Sequence, residues 1–387
     1  MKTKKFDLVV GIPSYNEADS ISFVVEQASK GLKKYFPDVD SIIVNVDNHS
    51  EDGTKNAFLN SKSDIPLKYI STPRGVTGKG NNFRNLFKFI IKSDAKAAIV
   101  VDSDLKSITP EWIEKLGSPL FKGYDYVIPI YTRHKYDATI TNNLCYPLLY
   151  GLVCKNIRQP IAGDFAFSRN ICESYLKKKW NNTTYHYGID IFMTLTAVFD
   201  NFKITQVCLG DKSHKPSAPK LGRMFIEVIN TLFSEILKNK PKWKDANSME
   251  NLGLTGGEQL GKGQDLSVDA SIIKQTALAE YQQHRKNIRK FLTPEIFAKI
   301  DSIFSKEEIN ISSELWAKAV YDLLYSYGLN KKYLAVVRAM KSLYFGRFYT
   351  FMQLSKDWDN LQAEEKFRKQ AQVFKTLKPY LLDKFKK

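Results

Sequence analysis

The chain has 387 residues, 43% hydrophobic and 26% charged, which excludes wholesale disorder and a membrane-embedded body and suits two domains of about 100 to 200 residues each. A formal net charge of +17 implies attraction to anions, without choosing among nucleic acid, an anionic membrane surface and phosphorylated metabolites. No run reaches the roughly 18 apolar residues of a membrane-spanning helix, and Met-Lys-Thr-Lys-Lys leads straight into Phe-Asp-Leu-Val-Val, not a signal-peptide core, so a cytoplasmic protein is expected.

From the start to about residue 215, short apolar runs alternate with amphipathic stretches. Phe6 to Ile12, Ser41 to Val46, Leu67 to Ile70, Ala97 to Val101 and Tyr126 to Ile130 read as buried strands, with helix-like segments such as Ser20 to Lys33 between them. That alternation predicts an α/β domain over residues 1–218, Rossmann-like with a mostly parallel sheet, and ligands in such sheets bind at the carboxyl ends of the strands. Cys145, Cys154, Cys172 and Cys208 are scattered without a Cys-x-x-Cys spacing and read as small buried hydrophobes. After His214 the texture changes to long amphipathic helices: Leu221 to Lys238, Ser267 to Lys290, Ser312 to Tyr325 and Tyr333 to Tyr344. These predict a helical second domain over residues 219–387, with a glycine-rich loop or lid near residues 251–266. That loop lacks the preceding strand and the Lys-Ser/Thr ending of a phosphate-binding loop.

The residues after each strand carry the chemistry. Ala98-Ile99-Val100-Val101-Asp102-Ser103-Asp104 places two carboxylates at the end of a buried strand, a hard anionic oxygen site suited to Mg²⁺ or Mn²⁺ with a diphosphate; alone, Asp-x-Asp is also an Asx turn. The first strand ends in Gly11-Ile12-Pro13-Ser14-Tyr15-Asn16-Glu17, the second in Val46-Asp47-Asn48-His49-Ser50-Glu51-Asp52-Gly53-Thr54. An aromatic and backbone groups there can hold a flat base while Glu17 and Asp47 accept hydrogen bonds from ribose or base N–H groups. Gly78-Lys79-Gly80 opens a helix, where glycines and one cation can approach phosphate oxygens; a surface turn is the plain alternative. Further on come Arg158-Gln159-Pro160-Ile161-Ala162-Gly163-Asp164, His186-Tyr187-Gly188-Ile189-Asp190 and Gln206-Val207-Cys208-Leu209-Gly210-Asp211-Lys212-Ser213-His214.

The first two loops resemble the nucleotide-binding loops of GT-A glycosyltransferases. The whole series, from about Gly11 to Ser234, is similar to the retaining glucosyl-3-phosphoglycerate, glucosylglycerate and mannosylglycerate synthases. The resemblance implies a GT-A domain that binds a UDP-glucose or GDP-mannose type donor and transfers the hexose to a small acidic acceptor. It implies a divalent metal ligated by Asp104 and His214, with Asp102 on the nucleotide sugar and Lys79 stabilising the departing diphosphate. Pro13, Tyr15, Glu17, Asp47, Ala162 and Gly163 would complete the donor site. Arg133 would hold the acceptor carboxylate as a bidentate fork, Thr141 would add a hydroxyl, and Asp190 would orient the donor sugar or acceptor hydroxyl. Phosphoglycerate-using members carry an arginine where Thr139 stands, next to a glycine-rich run that is absent here, which leaves free glycerate or another hydroxy acid open. The bases of the donor and the choice of glucose or mannose stay open as well.

Two other readings follow from the charge. Basic helices with Phe345, Phe348, Tyr349 and Phe351 suit weak contact with anionic lipid, hence a lipid or polysaccharide acceptor at a membrane face. Nucleic acid is not expected as a partner, since no recognised motif accompanies the charge. The helical C-terminal segments leave room for a homodimer.

Overall fold

The structure, a computed structural model, describes residues 5–215, 221–255, 263, 265–329 and 333–386. Half of the glycine-rich stretch, residues 256–262 and 264, lies outside them. The chain divides into two compact units: Met1–Thr132, Gln159–Lys220 and Leu252–Gln264 form the first, and Arg133–Arg158, Leu221–Asn251 and Asp265–Lys387 the second. Where one boundary at 218/219 is expected from sequence, the units interleave, for two local reasons. Leu254–Thr255 pairs as a parallel strand with Ile204–Asp211 and so joins the sheet of the first unit. Residues 141–153 are a buried helical stretch with π-type turns that packs on a helix of the second.

The first unit is built on an eight-stranded sheet of β1 (Leu8–Ser14), β2 (Ser41–Asp47), β3 (Leu67–Ser71), β4 (Ala97–Val100), β5 (Tyr126–Thr132), β6 (Phe165–Ser168), β7 (Ile204–Asp211) and β8 (Leu254–Thr255). The order is β8-β7-β5-β6-β4-β1-β2-β3, and every pairing is parallel except those of β6 with β4 and β5. All residues of β1, β2 and β4 are buried, the expected state of central strands covered on both faces. Helices α1 (Ile21–Tyr35), α2 (Thr54–Leu59), α3 (Lys79–Lys92), α4 (Pro110–Phe121), α5 (Arg169–Lys177) and α6 (Ile189–Phe199) supply the cover. In α1, Val24, Val25, Ala28 and Leu32 recur at helical spacing and are fully buried, each larger side chain contributing about 1.5–3 kcal/mol. The chain leaves β1 for β2 on one side and returns to β4 on the other, so the carboxyl ends of β1 and β4 flank the crevice where ligands of open α/β sheets bind.

The second unit contains α7 (Leu221–Lys238), α8 (Ala270–Phe291), α9 (Pro294–Ser305), α10 (Ser313–Leu329), α11 (Tyr333–Leu354), α12 (Asn360–Thr376) and α13 (Lys378–Lys384). The aromatics read as lipid-facing behave differently: Phe348 and Phe351 are buried in a cluster with Met352, Ala363 and Phe367. Phe345 and Tyr349 of the same helix are half-buried, so α11 is largely a core helix. Among the described residues no helix is long and apolar enough to cross a membrane. All four cysteines are buried free thiols.

Candidate functional site

The loops after β1 and β2 are tied to each other by side chains of the second. Asn16 N–H donates to Ser50 Oγ at 2.8 Å, Glu17 N–H to Thr54 Oγ1 at 2.9 Å and Ala18 N–H to Asp52 Oδ2 at 3.1 Å. Asn16 and His49 sit in the left-handed region at φ 57° and 60°, strain that such cross-ties sustain. Pro13 is buried in β1, whereas Tyr15 is 52% exposed just past it, an aromatic face open at the strand end. Asp47, expected to accept from a nucleoside, is fully buried and already accepts from Ser14 Oγ (2.7 Å), Ser50 N–H (2.7 Å), Ser50 Oγ (2.6 Å) and Tyr69 Oη (2.8 Å). Those four donors match the lone-pair capacity of a carboxylate, so its role here is to shape the loop. Burial and the bond to Asp47 push the Tyr69 phenol up to about 12. Glu17 is likewise engaged, accepting from Lys215 Nζ at 2.7 Å and Ser20 Oγ at 3.0 Å.

At the end of β4 the chain builds a buried charge cluster. Lys79 Nζ donates to Asp102 Oδ1 at 3.0 Å and Gly163 O at 3.4 Å, and lies 3.4 Å from Asp190 Oδ1. Lys212 Nζ donates to Asp102 Oδ2 at 3.0 Å, Asp164 Oδ2 at 2.5 Å and Ala162 O at 3.0 Å. Asp164 spans the cluster: its Oδ1 accepts Asp102 N–H at 2.7 Å and its Oδ2 accepts Tyr131 Oη at 2.6 Å. A register shift between Ile130 and Tyr131 interrupts the β5–β7 pairing just where Tyr131 turns toward Asp164, a common use of a bulge beside a site. Gly163 is at φ +93°, and a Cβ there would stand 2.4 Å from Asp102 Oδ2 and 2.9 Å from Lys212 Nζ. Only glycine lets this backbone reach the ion pair.

The glycines around Lys79 have a different purpose from the expected phosphate cradle. Gly80 N–H donates to His186 O at 3.2 Å and Asn81 N–H to Tyr185 O at 3.1 Å, so loop carbonyls occupy donors at the start of α3. A Cβ on Gly80 would stand 2.0 Å from Thr184 O, which makes close packing of the 183–188 loop the reason for that glycine. The same packing positions Asp190, at the start of α6, against Lys79.

The electrostatics are unbalanced. Asp102, Asp104, Asp164 and Asp190 face two ammonium groups, Lys79 and Lys212. Burial opposes ionisation of Asp102, but attraction by Lys79 and Lys212 holds its carboxyl far below the usual range. Burial also opposes the charge on Lys79, and Asp102 and Asp190 hold it protonated. Asp104 shifts the other way: burial raises its carboxyl, repulsion from Asp102 adds, and His214 opposes. Burial raises Asp190 as well, against the pull of Lys79, and its Oδ1 is buried without a hydrogen-bond partner.

Excess negative charge is what a divalent cation would relieve, and the donor set fits one. His214 Nδ1 lies 2.6 Å from Lys215 O, and because a carbonyl only accepts, Nδ1 carries a proton; in the neutral ring Nε2 then has the lone pair of a metal ligand. The His214 segment is held to the loop after β4 by Lys106 N–H to Ser213 O at 2.9 Å and Ser213 N–H to Ser107 Oγ at 2.9 Å. Among the described residues, no three His, Cys, Asp or Glu side chains form a ready-made cage.

The first unit therefore brings together Lys79, Asp102, Ala162, Gly163 and Asp190, with Asp104 and His214 near enough to interact electrostatically. Arg133 and Thr141 belong to the second unit. There Arg133 Nη1 pairs with Asp137 Oδ2 at 2.9 Å, and Thr141 is buried at the start of the 141–153 stretch. Lys135 of the same loop donates to the carbonyls of Ser355, Lys356 and Trp358 at 2.7–3.0 Å, closing the end of α11. Thr139 is buried with its hydroxyl bonded to Tyr344 Oη. Sequence reasoning missed Lys212, Asp164 and Tyr131 as members of the cluster; the lysine two residues before His214 was the available signal.

Residues 9–184 match the model of glycosyl transferase family 2. Solved structures of glucosyl-3-phosphoglycerate synthase from Mycobacterium tuberculosis are similar to this chain. The complex with phosphoglyceric acid is 25% identical, with a TM-score of 0.47, covering 59% of this chain and 80% of that chain. The complex with Mn²⁺, uridine diphosphate and glucosyl-3-phosphoglycerate is 26% identical, with a TM-score of 0.47 and the same coverage of 59% and 80%. The complex with Mg²⁺ and uridine diphosphate is 25% identical, with a TM-score of 0.47, covering 59% and 79%. No curated protein matches the sequence.

Proposed function

We propose that this chain, whose residues 9–184 form a family 2 glycosyl transferase domain of the GT-A type, moves a hexose from a nucleoside-diphosphate sugar to a small hydroxy acid with retention of anomeric configuration. The observation that carries the reading is the charge cluster at the end of β4: buried carboxylates in excess over lysines, at the crevice where an α/β sheet takes its ligand. The likeness of the 131–141 stretch to acceptor-binding segments supports an acidic acceptor. Thr139, buried where phosphoglycerate-using members carry arginine, favours free glycerate or a similar acid.

In this reading Asp104 and Nε2 of His214 hold a divalent cation, which when bound would neutralise charge developing on the diphosphate. Lys79 adds a fixed ammonium on the same side, already desolvated and pre-aligned by Asp102 and Asp190, so it needs little reorganisation during the reaction. Asp190 Oδ1, 3.4 Å from Lys79 Nζ but without a hydrogen bond, is placed to accept a hydroxyl, which orients a sugar or acceptor. Tyr15 offers a ring to a flat base. Among the described residues of the cluster no Ser–His–Asp triad is formed, and the departing phosphate would take the acceptor proton on the same face.

The test is thermal unfolding with UDP-glucose and with GDP-mannose, each with and without Mn²⁺, followed by turnover assays with glycerate, lactate and 3-phosphoglycerate. A ligand at a hundred times its Kd stabilises the folded state by about 2.7 kcal/mol. One donor should raise the transition only in the presence of Mn²⁺, and glycerate should then be glycosylated. If no nucleotide sugar moves the transition, the proposal fails; if a donor binds but every small acid fails, the acceptor half fails.

A further inference from the structure

We propose that Lys212, clamped by Asp164 and Tyr131, is a positioning residue: a buried cationic strut that fixes Asp102 and carries the segment bearing His214 into register with the loop of Asp104. The inference rests on the nucleotide-sugar reading of this site and adds to it a component that does not itself touch a ligand.

The geometry separates Lys212 from Lys79. Lys212 is 4% exposed, and its three N–H groups have three acceptors: Asp102 Oδ2, Asp164 Oδ2 and Ala162 O. An ammonium has three donors, so Lys212 could reach a phosphate only by abandoning one of these partners. Asp164, fully buried, is what ties the strut to the backbone, because one of its oxygens holds Asp102 N–H while the other takes Lys212 and Tyr131. Asp102 is thus held at its main chain by Asp164 and at its side chain by both lysines.

Lys212 lies two residues before His214 in the segment that leaves β7. That segment is also fastened by the backbone groups of Ser213, which bond Lys106 N–H and Ser107 Oγ, and past His214 by Lys215 Nζ on Glu17 and Asp19 at 2.7 Å. The Lys212 ammonium and Ser213 fix the chain before the His214 ring, and Lys215 fixes it after. The absence of a side chain at Gly163 is part of the same device, since any Cβ would strike both Asp102 and Lys212.

Removing Lys212 alone would leave the buried Asp164 without its cation and Asp102 with Lys79 alone, so Lys212→Met can fail by unfolding. The decisive variant is Lys212→Met combined with Asp164→Asn, which removes one charge of each sign and keeps an amide oxygen for Asp102 N–H. Binding of UDP and of GDP is measured by calorimetry across a Mn²⁺ titration, with the urea midpoint recorded for each protein. The double variant should fold cooperatively, require at least tenfold more Mn²⁺ for half-maximal nucleotide binding, and bind the nucleotide within threefold of wild type when Mn²⁺ is omitted. Tyr131→Phe, which loosens Asp164 without changing charge, should move the Mn²⁺ requirement in the same direction by a smaller factor. A folded double variant with the wild-type Mn²⁺ requirement would overturn the strut. If the wild-type protein binds neither nucleotide at any Mn²⁺ concentration, the nucleotide-sugar reading falls, and the strut with it.

Discussion

Each of the two units buries charged side chains, and they do so to opposite effect. In the second unit three largely buried cations are held by hydrogen bonds to acceptors inside the protein. Arg347 donates to Ile311 O, Ser313 Oγ and Gln370 Oε1; Lys378 donates to the carbonyls of Leu152, Trp243 and Ala246; Arg158 forks onto Glu364 with bonds of 2.7 Å from Nε and from Nη2. Lys378 and Lys135 place ammonium groups on carbonyls at segment ends, the interaction that the dipole of a helix C-terminus favours. In the first unit the cluster around Asp102 has more carboxylates than cations and an Asp190 oxygen without a hydrogen bond. Burying charge is costly in both places. Cations bonded to carbonyls, amides and one carboxylate hold helices in register, whereas a buried cluster with more carboxylates than lysines suits a cation from outside the chain.

The largest effect should come from removing either proposed metal ligand. Asp104→Ala or His214→Ala is expected to lower Mn²⁺-dependent turnover on the order of a thousandfold, about 4 kcal/mol in the barrier, while the thermal transition shifts little because neither residue is in the core. Wild-type turnover in either variant at limiting Mn²⁺ would remove both from the metal site. In the second unit the outcome should invert. Arg158→Met leaves the partly buried Glu364 with only Arg368 at 3.3 Å and should cost about 2 kcal/mol of stability in urea unfolding, less than a fully buried pair because Glu364 keeps that partner and some solvent contact. Adding Glu364→Leu should return most of that loss, with the turnover of the folded fraction unchanged throughout. A loss of turnover out of proportion to stability would mean that this network is not merely architectural.

Arg133 tests the acceptor half of the proposal. Its guanidinium is paired with Asp137, so an acceptor carboxylate would have to share or take over the fork. Arg133→Ala should lower kcat/KM for glycerate between about tenfold and a hundredfold, mainly through KM, and leave hydrolysis of the donor less affected. Arg133→Lys should recover little, since a point charge cannot make two parallel hydrogen bonds. Equal use of glycerate by Arg133→Ala and wild type would favour the lipid or polysaccharide acceptor.

What the sequence made legible follows the same contrast between local and distant causes. The first five strands and α7 declare themselves by apolar period and β-branched content, and α7 begins and ends at the residues its periodicity predicts, Leu221 and Lys238. The antiparallel β6 does not: Phe165–Ser168 is four residues long and follows Gly163-Asp164, which reads as a turn. The 141–153 stretch hides because Pro147 and Gly151 interrupt the helical pattern that its packing on α12 restores. Asp102 and Lys79 are visible because strand ends and glycine-flanked helix starts are local signals. Lys212 is not, for its carboxylate partners lie 48 and 110 residues away in sequence. Arg133, by contrast, looks like a free fork until Asp137, four residues on, is seen to occupy it.

The smallest effect sharpens the comparison from outside both networks. Glu111, in the first turn of α4, has its carboxyl lowered to about 2 by hydrogen bonds from Thr109, its own backbone and Tyr35 Oη at 2.9 Å, although its side chain is 47% exposed. A shifted carboxyl with all its partners in place should behave as structure, however far it is shifted. Since its pKa is lower folded than unfolded, its contribution is present above the unfolded value near 4.5 and is lost as pH falls from there through about 2. Solvent screening and the weakness of exposed charge interactions at a helix N-terminus limit that contribution to about 0.3 to 1 kcal/mol. Glu111→Gln should therefore be less stable than wild type by that amount in urea unfolding at pH 6, and the gap should narrow at pH 3. Turnover should be unaffected by the substitution at pH 6. A gap that stays constant with pH would assign the loss to altered hydrogen-bond geometry and not to the charge. A fall in turnover at pH 6 would show that a saturated, exposed carboxylate can matter to the chemistry, and the rule that surplus charge marks the site would fail.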